Sequence, residues 1–397
     1  MLSFPTKLKE NDIESLLWLI QQDFGEQPLL LQLGSKYSHF GGLSSAIQAI
    51  NTWARSSKTG VLHLSQGKRS KEQLVESTIE QPFKIIASMM ATEIVTNDIN
   101  KEGIKKTVYS AIKKNIEGQS KSLAGATRGG LCSYIFIDHS SKGFDKNFYI
   151  QADPTPVPKQ ISQFENIIYS MIHHSLTVSG GASALPSKKQ VHEIGRVFYE
   201  LFCNTHEHGS REKLKSKWIK PANRVLYTNA INLVESAVNA IKVENTALGN
   251  YLNSFSMTSS NRYRFIELSL IDSGLGFVGR WIADNKYTGS ASELGLPEEY
   301  SVFEKCFTFR DTSSGEDHKG TGLPVVMQKL TELNGFMKVR SGRISVYRDF
   351  KNQPYSLGDL CDFYDKVSHK RCSENLTEMA QVVGVAITVL LPLEERR

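Results

Sequence analysis

Three short stretches of this chain hold side chains of the kinds that handle phosphate chemistry. In "YELFCNTHEHG", Tyr199 to Gly209, an acid, an amide and an imidazole recur every fourth residue as Glu200, Asn204 and His208. A carboxylate and an amide oxygen one helical turn apart can serve a metal-bound triphosphate together. The amide is a hard, neutral ligand for Mg²⁺, and the carboxylate can take a proton from an attacking water or hydroxyl. The second stretch, "RFIELSLIDSGLGF", runs a strand expected at 266–271 into Asp272-Ser273-Gly274-Leu275-Gly276. An aspartate at a strand end can accept from an exocyclic amino group such as that of adenine, and the glycines let backbone approach a flat ring. In the third, "GEDHKGTGLPVVMQKLTELNG", Gly320-Thr321-Gly322-Leu323 opens a helix whose free N–H groups and positive dipole end suit phosphate. Lys319 adds charge there, and Pro324 suits a first helical turn. Each motif also has a plainer reading: a polar surface strip, a strand-to-loop turn, a glycine-rich helix cap.

The elements that must position these residues follow from periodicity. In "QVHEIGRVFYELFCNTHEHG" the apolar Ile194, Val197, Phe198, Leu201 and Phe202 form a buried stripe, with Gly209 and Ser210 ending the helix. Upstream, "PLLLQLG" and "TGVLHLS" read as strands and "GGLSSAIQAINTWARSS" as a helix between them. "EQLVESTIEQPFKIIASMMATEIV", interrupted at Pro82, and "KEGIKKTVYSAIKKNI" read as helices, and "LCSYIFIDHSSKGFDKNFYI" as two strands joined by a polar turn. These make an α/β module over 1–150 that lacks a chemical motif; Lys105, Lys106, Lys113 and Lys114 read as a solvated helix face. "QADPTPVPKQ", 151–160, holds three prolines and reads as a linker. A helix with the pair His173-His174 follows.

Composition bounds the function. The chain has 397 residues, 40% hydrophobic and 22% charged, enough for a sizeable core. Its net charge of +6 is mild, compatible with anionic ligands but too weak to argue for nucleic acid. Five cysteines without a CxxC pair read as reduced thiols of a cytoplasmic protein, and Cys361, His369 and Cys372 are spaced too irregularly for zinc. The first residues lack a signal-peptide pattern, and no apolar run reaches membrane-spanning length.

In order, the three motifs resemble the N box and the two glycine boxes of the GHKL, or Bergerat-fold, ATPases. "VFEKCFTFRDTSS" resembles the stretch before the lid in histidine kinases, and "LNGFMKVRSG" and "VGVAITVLLPL" resemble the closing strands. The resemblance covers roughly Ile161 to Leu393. It implies an α/β, two-layer α+β sandwich over 161–397 with a mixed sheet and a helical layer. It further implies an insertion at about 210–260 and a mobile lid at about 279–319. It implies Asn204 as the Mg²⁺ ligand, Glu200 as general base, and Asp272 as the reader of adenine with Gly274 and Gly276 shaping that pocket. Lys319, Gly320, Thr321, Gly322 and Leu323 would hold the phosphates, with His208 near the nucleotide. Inside the insertion, "REKLKSKWIK" reads as a solvated basic face rather than a nucleic-acid contact.

The expected ligands are therefore ATP and Mg²⁺, with a protein partner or substrate and, as among many relatives, a homodimer. Fold alone does not fix the activity. The first expectation is an ATPase driving a conformational or dimerisation switch. A protein kinase of the anti-sigma serine-kinase or histidine-kinase type is the alternative, although His173 and His174 lack the flanking signature of a phosphoacceptor. A nucleotide-binding scaffold without turnover is the third, which the retained Glu200 argues against.

Overall fold

The computed structural model describes residues 1–397 except 24, 33, 35, 38, 39, 98–102, 141, 142, 154, 182, 183, 286–292, 309–321, 360 and 394–397. In chain order the first elements are β1 (Leu2–Ser3), β2 (Lys7–Leu8), α1 (Glu10–Asp23), β3 (Leu29–Leu31), β4 (Lys36–Tyr37) and α2 (Gly42–Ser56). There follow β5 (Val61–Leu64), α3 (Lys71–Ile79), α4 (Pro82–Met90), β6 (Glu93–Thr96), α5 (Lys105–Gln119), β7 (Ala126–Arg128), β8 (Leu131–Phe136), β9 (Tyr149–Ile150) and β10 (Val157–Pro158). Next come α6 (Ile161–Val178), α7 (Lys188–Asn204), a π-helical turn (Thr205–Gly209), β11 (Arg224–Leu233), α8 (Glu235–Glu244), α9 (Thr246–Asn253) and β12 (Tyr263–Asp272). The last are α10 (Gly276–Asp284), α11 (Leu296–Lys305), α12 (Gly322–Glu332), β13 (Phe336–Gly342), β14 (Ile344–Asp349), β15 (Tyr364–Asp365) and β16 (Val382–Pro392).

Two main sheets organise the chain, giving a mixed α/β fold. A parallel sheet runs β1-β3-β5-β6, and an eight-stranded antiparallel sheet runs β15-β14-β13-β16-β12-β11-β8-β7. The break between α3 and α4 has the expected cause: Pro82 fits only a first helical turn. Beyond α4 the expectation of continued helix fails. Ala91 is extended, and Glu93–Thr96 pairs in parallel with Val61–Leu64 as β6.

Tertiary pairing redraws the expected boundaries. β7 and β8 join the eight-stranded sheet, with β8 pairing along β11 from Leu131↔Asn229 to Phe136↔Arg224. The two strands expected on either side of the polar turn, β8 and β9, stand in different sheets; β9 pairs with β10, inside the expected linker. β11 lies within the expected insertion yet is a central strand, paired with β12 over ten residues. The sheet is antiparallel throughout rather than mixed.

Both faces of this sheet are covered, so the two-layer expectation is also corrected. Cys132, Tyr134, Phe136, Ile266, Leu268, Leu270, Ile387, Val389 and Leu391 share one core with α6, α7, α11 and α12. The alternate residues Leu131, Ile135, Val225, Tyr227, Ile271 and Ala386 share a second core with α1, α2, α4, α5 and the parallel sheet. All of β12 is consequently buried. Leu43, Ile47, Ile50 and Trp53 of α2 are at most 1% exposed, each worth roughly 1.5–3 kcal/mol on burial. The N-terminus of α2 meets a carboxylate: Glu267 accepts from the amides of Phe40 (2.7 Å) and Gly41 (3.0 Å) and from the Tyr227 hydroxyl (2.7 Å), as the helix dipole favours.

Candidate functional site

Helix α7 begins with Ser187, which caps the amide of Gln190 while the Gln190 side chain accepts from the Ser187 amide. Its stripe of Ile194, Val197, Phe198, Leu201 and Phe202 is buried as expected. Glu200 and Asn204 lie half-buried at the edge of that stripe. The Glu200 carboxylate is 2.6 Å from the Arg196 guanidinium, one turn back on the same helix. Burial raises its pKa, Arg196 opposes the rise, and Glu207 adds to it.

At Asn204 the α-helix gives way to the π-turn, Thr205–Gly209. His208 therefore lies on the wider turn, outside the α-helical repeat that sets Glu200 and Asn204 one turn apart. His208 is half-buried with its Nε2 3.8 Å from Glu207.

The π-turn delivers Gly209 against the end of β12. A Cβ on Gly274 would stand 1.9 Å from the Gly209 carbonyl oxygen, so this approach of two backbones requires glycine. A Cβ on Gly209 would come within 2.8 Å of the Asp272 Cβ. Asp272 is 4% exposed, and its Oδ1 accepts from the Gly274 amide at 2.8 Å. Burial pushes its pKa up to about 7; the amides of Gly274 and Val385 and the Arg224 charge oppose this, and Asp138 adds to it. Gly276, at φ 74°, opens α10. From the far side Gly384 closes on the same turn, donating its amide to the Gly274 carbonyl at 3.0 Å.

The third motif meets the first. Gly322 starts α12, and a Cβ there would lie 3.0 Å from Glu200 Oε2 and within 3.7 Å of both Asn204 amide atoms. Lys329 of α12 reaches Glu193 of α7 at 2.8 Å, fixing the two helices side by side. Leu323 turns its side chain into the core, leaving only its backbone for a ligand. Lys319, Gly320 and Thr321 lie outside the described residues. Of the expected lid, α10 and α11 are anchored: Phe303 and Phe307 are in the core, and Glu299 holds Arg343 at 2.7 Å. Residues 286–292 and 309–319 of that lid also lie outside the described residues.

Behind the π-turn sits a polar network that no motif announced. Arg224 Nη2 donates to Asp138 at 2.8 Å and Arg224 Nη1 to the Tyr149 hydroxyl at 2.8 Å, all buried. Tyr149 reaches His206 at 3.2 Å, and Ser210 donates to Asp138. His206 of the π-turn is thereby tied to Tyr149 of β9, and Ser210 just after the turn to Asp138, both held by Arg224 of β11. Asp138 and Arg224 are far apart in sequence, and the strand pairing that joins them left no local signal.

Comparison with known proteins finds no match. No protein-family model, no curated protein and no solved structure matches the chain. What the site does must be read from its own chemistry. Among the described residues no cluster of three or more His, Cys, Asp or Glu side chains could hold a metal ion. No helix among them is long and apolar enough to cross a membrane.

Proposed function

We propose that this chain binds ATP with Mg²⁺ between α7, the Asp272–Gly276 turn and the start of α12, and hydrolyses it. The observation that carries the reading is the meeting of Gly322 with Glu200 and Asn204 at one end of a path whose other end is Gly209 against Asp272. The last turn of α7 and the end of the π-turn after it thus lie against the start of α12 and against Asp272, the proposed phosphate and adenine ends of the site.

The donor set fits the ligand. One neutral amide oxygen, Asn204, suits a cation that takes most of its oxygens from phosphate and water. Bound Mg²⁺ would supply charge neutralisation along the triphosphate. The Asp272 carboxylate accepts from the adenine amino group, and the first amides of α12 donate to phosphate oxygens. Glu200, its affinity for protons raised by burial, takes a proton from the attacking water. Arg196 holds that carboxylate at 2.6 Å, so turnover requires Arg196 to yield when substrate enters.

The test is purified chain with γ-labelled ATP and Mg²⁺. Free phosphate is the expected product. Label retained on protein would move the assignment to a kinase, and binding without either product would leave a regulatory nucleotide-binding protein. Absence of binding would end the reading.

A further inference from the structure

Helix α2 reaches from the N-terminal α/β elements to the turn that carries Asp272. Arg55, in its last turn, donates through Nη2 to the carbonyls of Pro221 (2.8 Å) and Ser273 (2.9 Å). Its Nε is buried without a hydrogen-bond partner, and among the described residues no carboxylate pairs with it. Arg55 is half-buried, which is costly for a guanidinium without a paired carboxylate, and its contacts are spent on two backbone carbonyls beside the site. Two neighbours work on the same turn. Asn51 Oδ1 accepts from Asn223 Nδ2 at 2.6 Å, and Asn223 exchanges hydrogen bonds with Ser273: its amide to Ser273 Oγ at 2.8 Å, its carbonyl from the Ser273 amide at 3.1 Å. Thr52 Oγ1 accepts at 3.1 Å from Val383, next to the Gly384 that closes on Gly274.

We infer that Arg55, with Asn51 and Thr52, is a positioning residue for Asp272, so that α2 sets the selectivity of the site for adenine. None of the three touches the nucleotide in this arrangement; they hold Ser273 and Val383, and through them the backbone on both sides of the Asp272 carboxylate. The inference rests on the ATP reading, and it makes the N-terminal elements the rear support of the base-reading turn.

The experiment uses the full chain, MgATP and MgGTP as probes, and Arg55→Ala and Arg55→Lys as variants. Arg55→Ala is expected to weaken MgATP binding on the order of tenfold and to leave the weaker MgGTP binding unchanged, so selectivity falls by the same factor. Arg55→Lys should recover most of it, because an ammonium can donate to both carbonyls. Equal selectivity in wild type and Arg55→Ala, or parallel loss of both nucleotides, would overturn the inference. Where Arg55→Ala does not fold, Asn51→Ala carries the same expectation. Hydrogen exchange in the ligand-free chain separates the two claims: faster exchange of the Gly274 amide in Arg55→Ala supports positioning even if wild type binds neither nucleotide, an outcome that ends the ATP reading alone. Unchanged Gly274 exchange sinks the positioning role.

Discussion

Asp272 offers the most demanding test of the site, because its position makes nucleotide affinity depend on pH in one direction. Its Oδ1 already accepts from Gly274 at 2.8 Å. A proton on the buried carboxyl therefore goes to Oδ2, which then presents a donor to the donating amino group of adenine. Binding requires the ionised form, and burial holds the pKa at about 7. The ionised fraction then rises from about one tenth at pH 6 to about nine tenths at pH 8, so apparent affinity should rise nearly tenfold over that interval. Asp272→Asn is the matched perturbation: its carbonyl can keep the Gly274 contact while its NH₂ faces adenine as the protonated acid would. This variant should bind weakly at every pH. Calorimetric titration with MgATP on both proteins, taken as a ratio at each pH, cancels the titration of the ligand's own phosphates. A ratio that is constant from pH 6 to 8 would refute the reasoning. The same carboxyl acts on stability with its own sign. Its folded-state pKa lies above the ordinary value of 3.8, so its contribution is fully present below that value and lost as pH rises through about 7.

Four further expectations follow from the geometry. Glu200→Ala should keep MgATP binding and lose phosphate release by about a hundredfold; normal turnover in that variant would remove Glu200 from the chemistry. Gly274→Ala forces a methyl to 1.9 Å from the Gly209 carbonyl oxygen, and should cost about 1–3 kcal/mol in denaturant unfolding together with nucleotide affinity, so a wild-type midpoint would contradict the close approach. Asp138→Ala strands the buried Arg224 charge and should destabilise by about 3–5 kcal/mol; a loss below about 1 kcal/mol would mean that water reaches the pair. Burial first, then Arg224 and Arg211, push His206 down to about 3, whereas unfolded histidine titrates near ~6.5. The unfolded chain then takes the proton first, so wild type should lose stability relative to His206→Phe as pH falls from about 6.5 toward 3, and a difference that stays flat over that range would show that His206 does not titrate this way.

How much of this was legible depends on whether the determining contact was local. The apolar stripe of α7, the strand running into Asp272 and the helix opened by Gly322 all carry their period in adjacent residues, and each stands where its pattern put it. The expectation that the three motifs meet came from the resemblance and not from any local pattern. β11 was lost because "RVLYTNAINL" has both faces buried, one under helices and one under α2, and so lacks a clean polar alternation. The 1–150 boundary failed for a related reason. "LCSYIF" pairs with a strand some ninety residues later, and nothing in those six residues says with whom. The π-turn, Gly384 and the Asp138–Arg224 pair are set by what they pack against, which a local pattern does not record.

The second core has a consequence for synthesis. Leu43 and Ile47 are sealed by Val382 and Ala386, which are synthesised on the order of 340 residues later. At ordinary elongation rates the interval is on the order of tens of seconds. For that time part of this core's apolar surface waits for β16, which completes it. Ribosome-held chains arrested before 380 should recruit a hydrophobic dye or a holding chaperone, and lose it once β16 emerges.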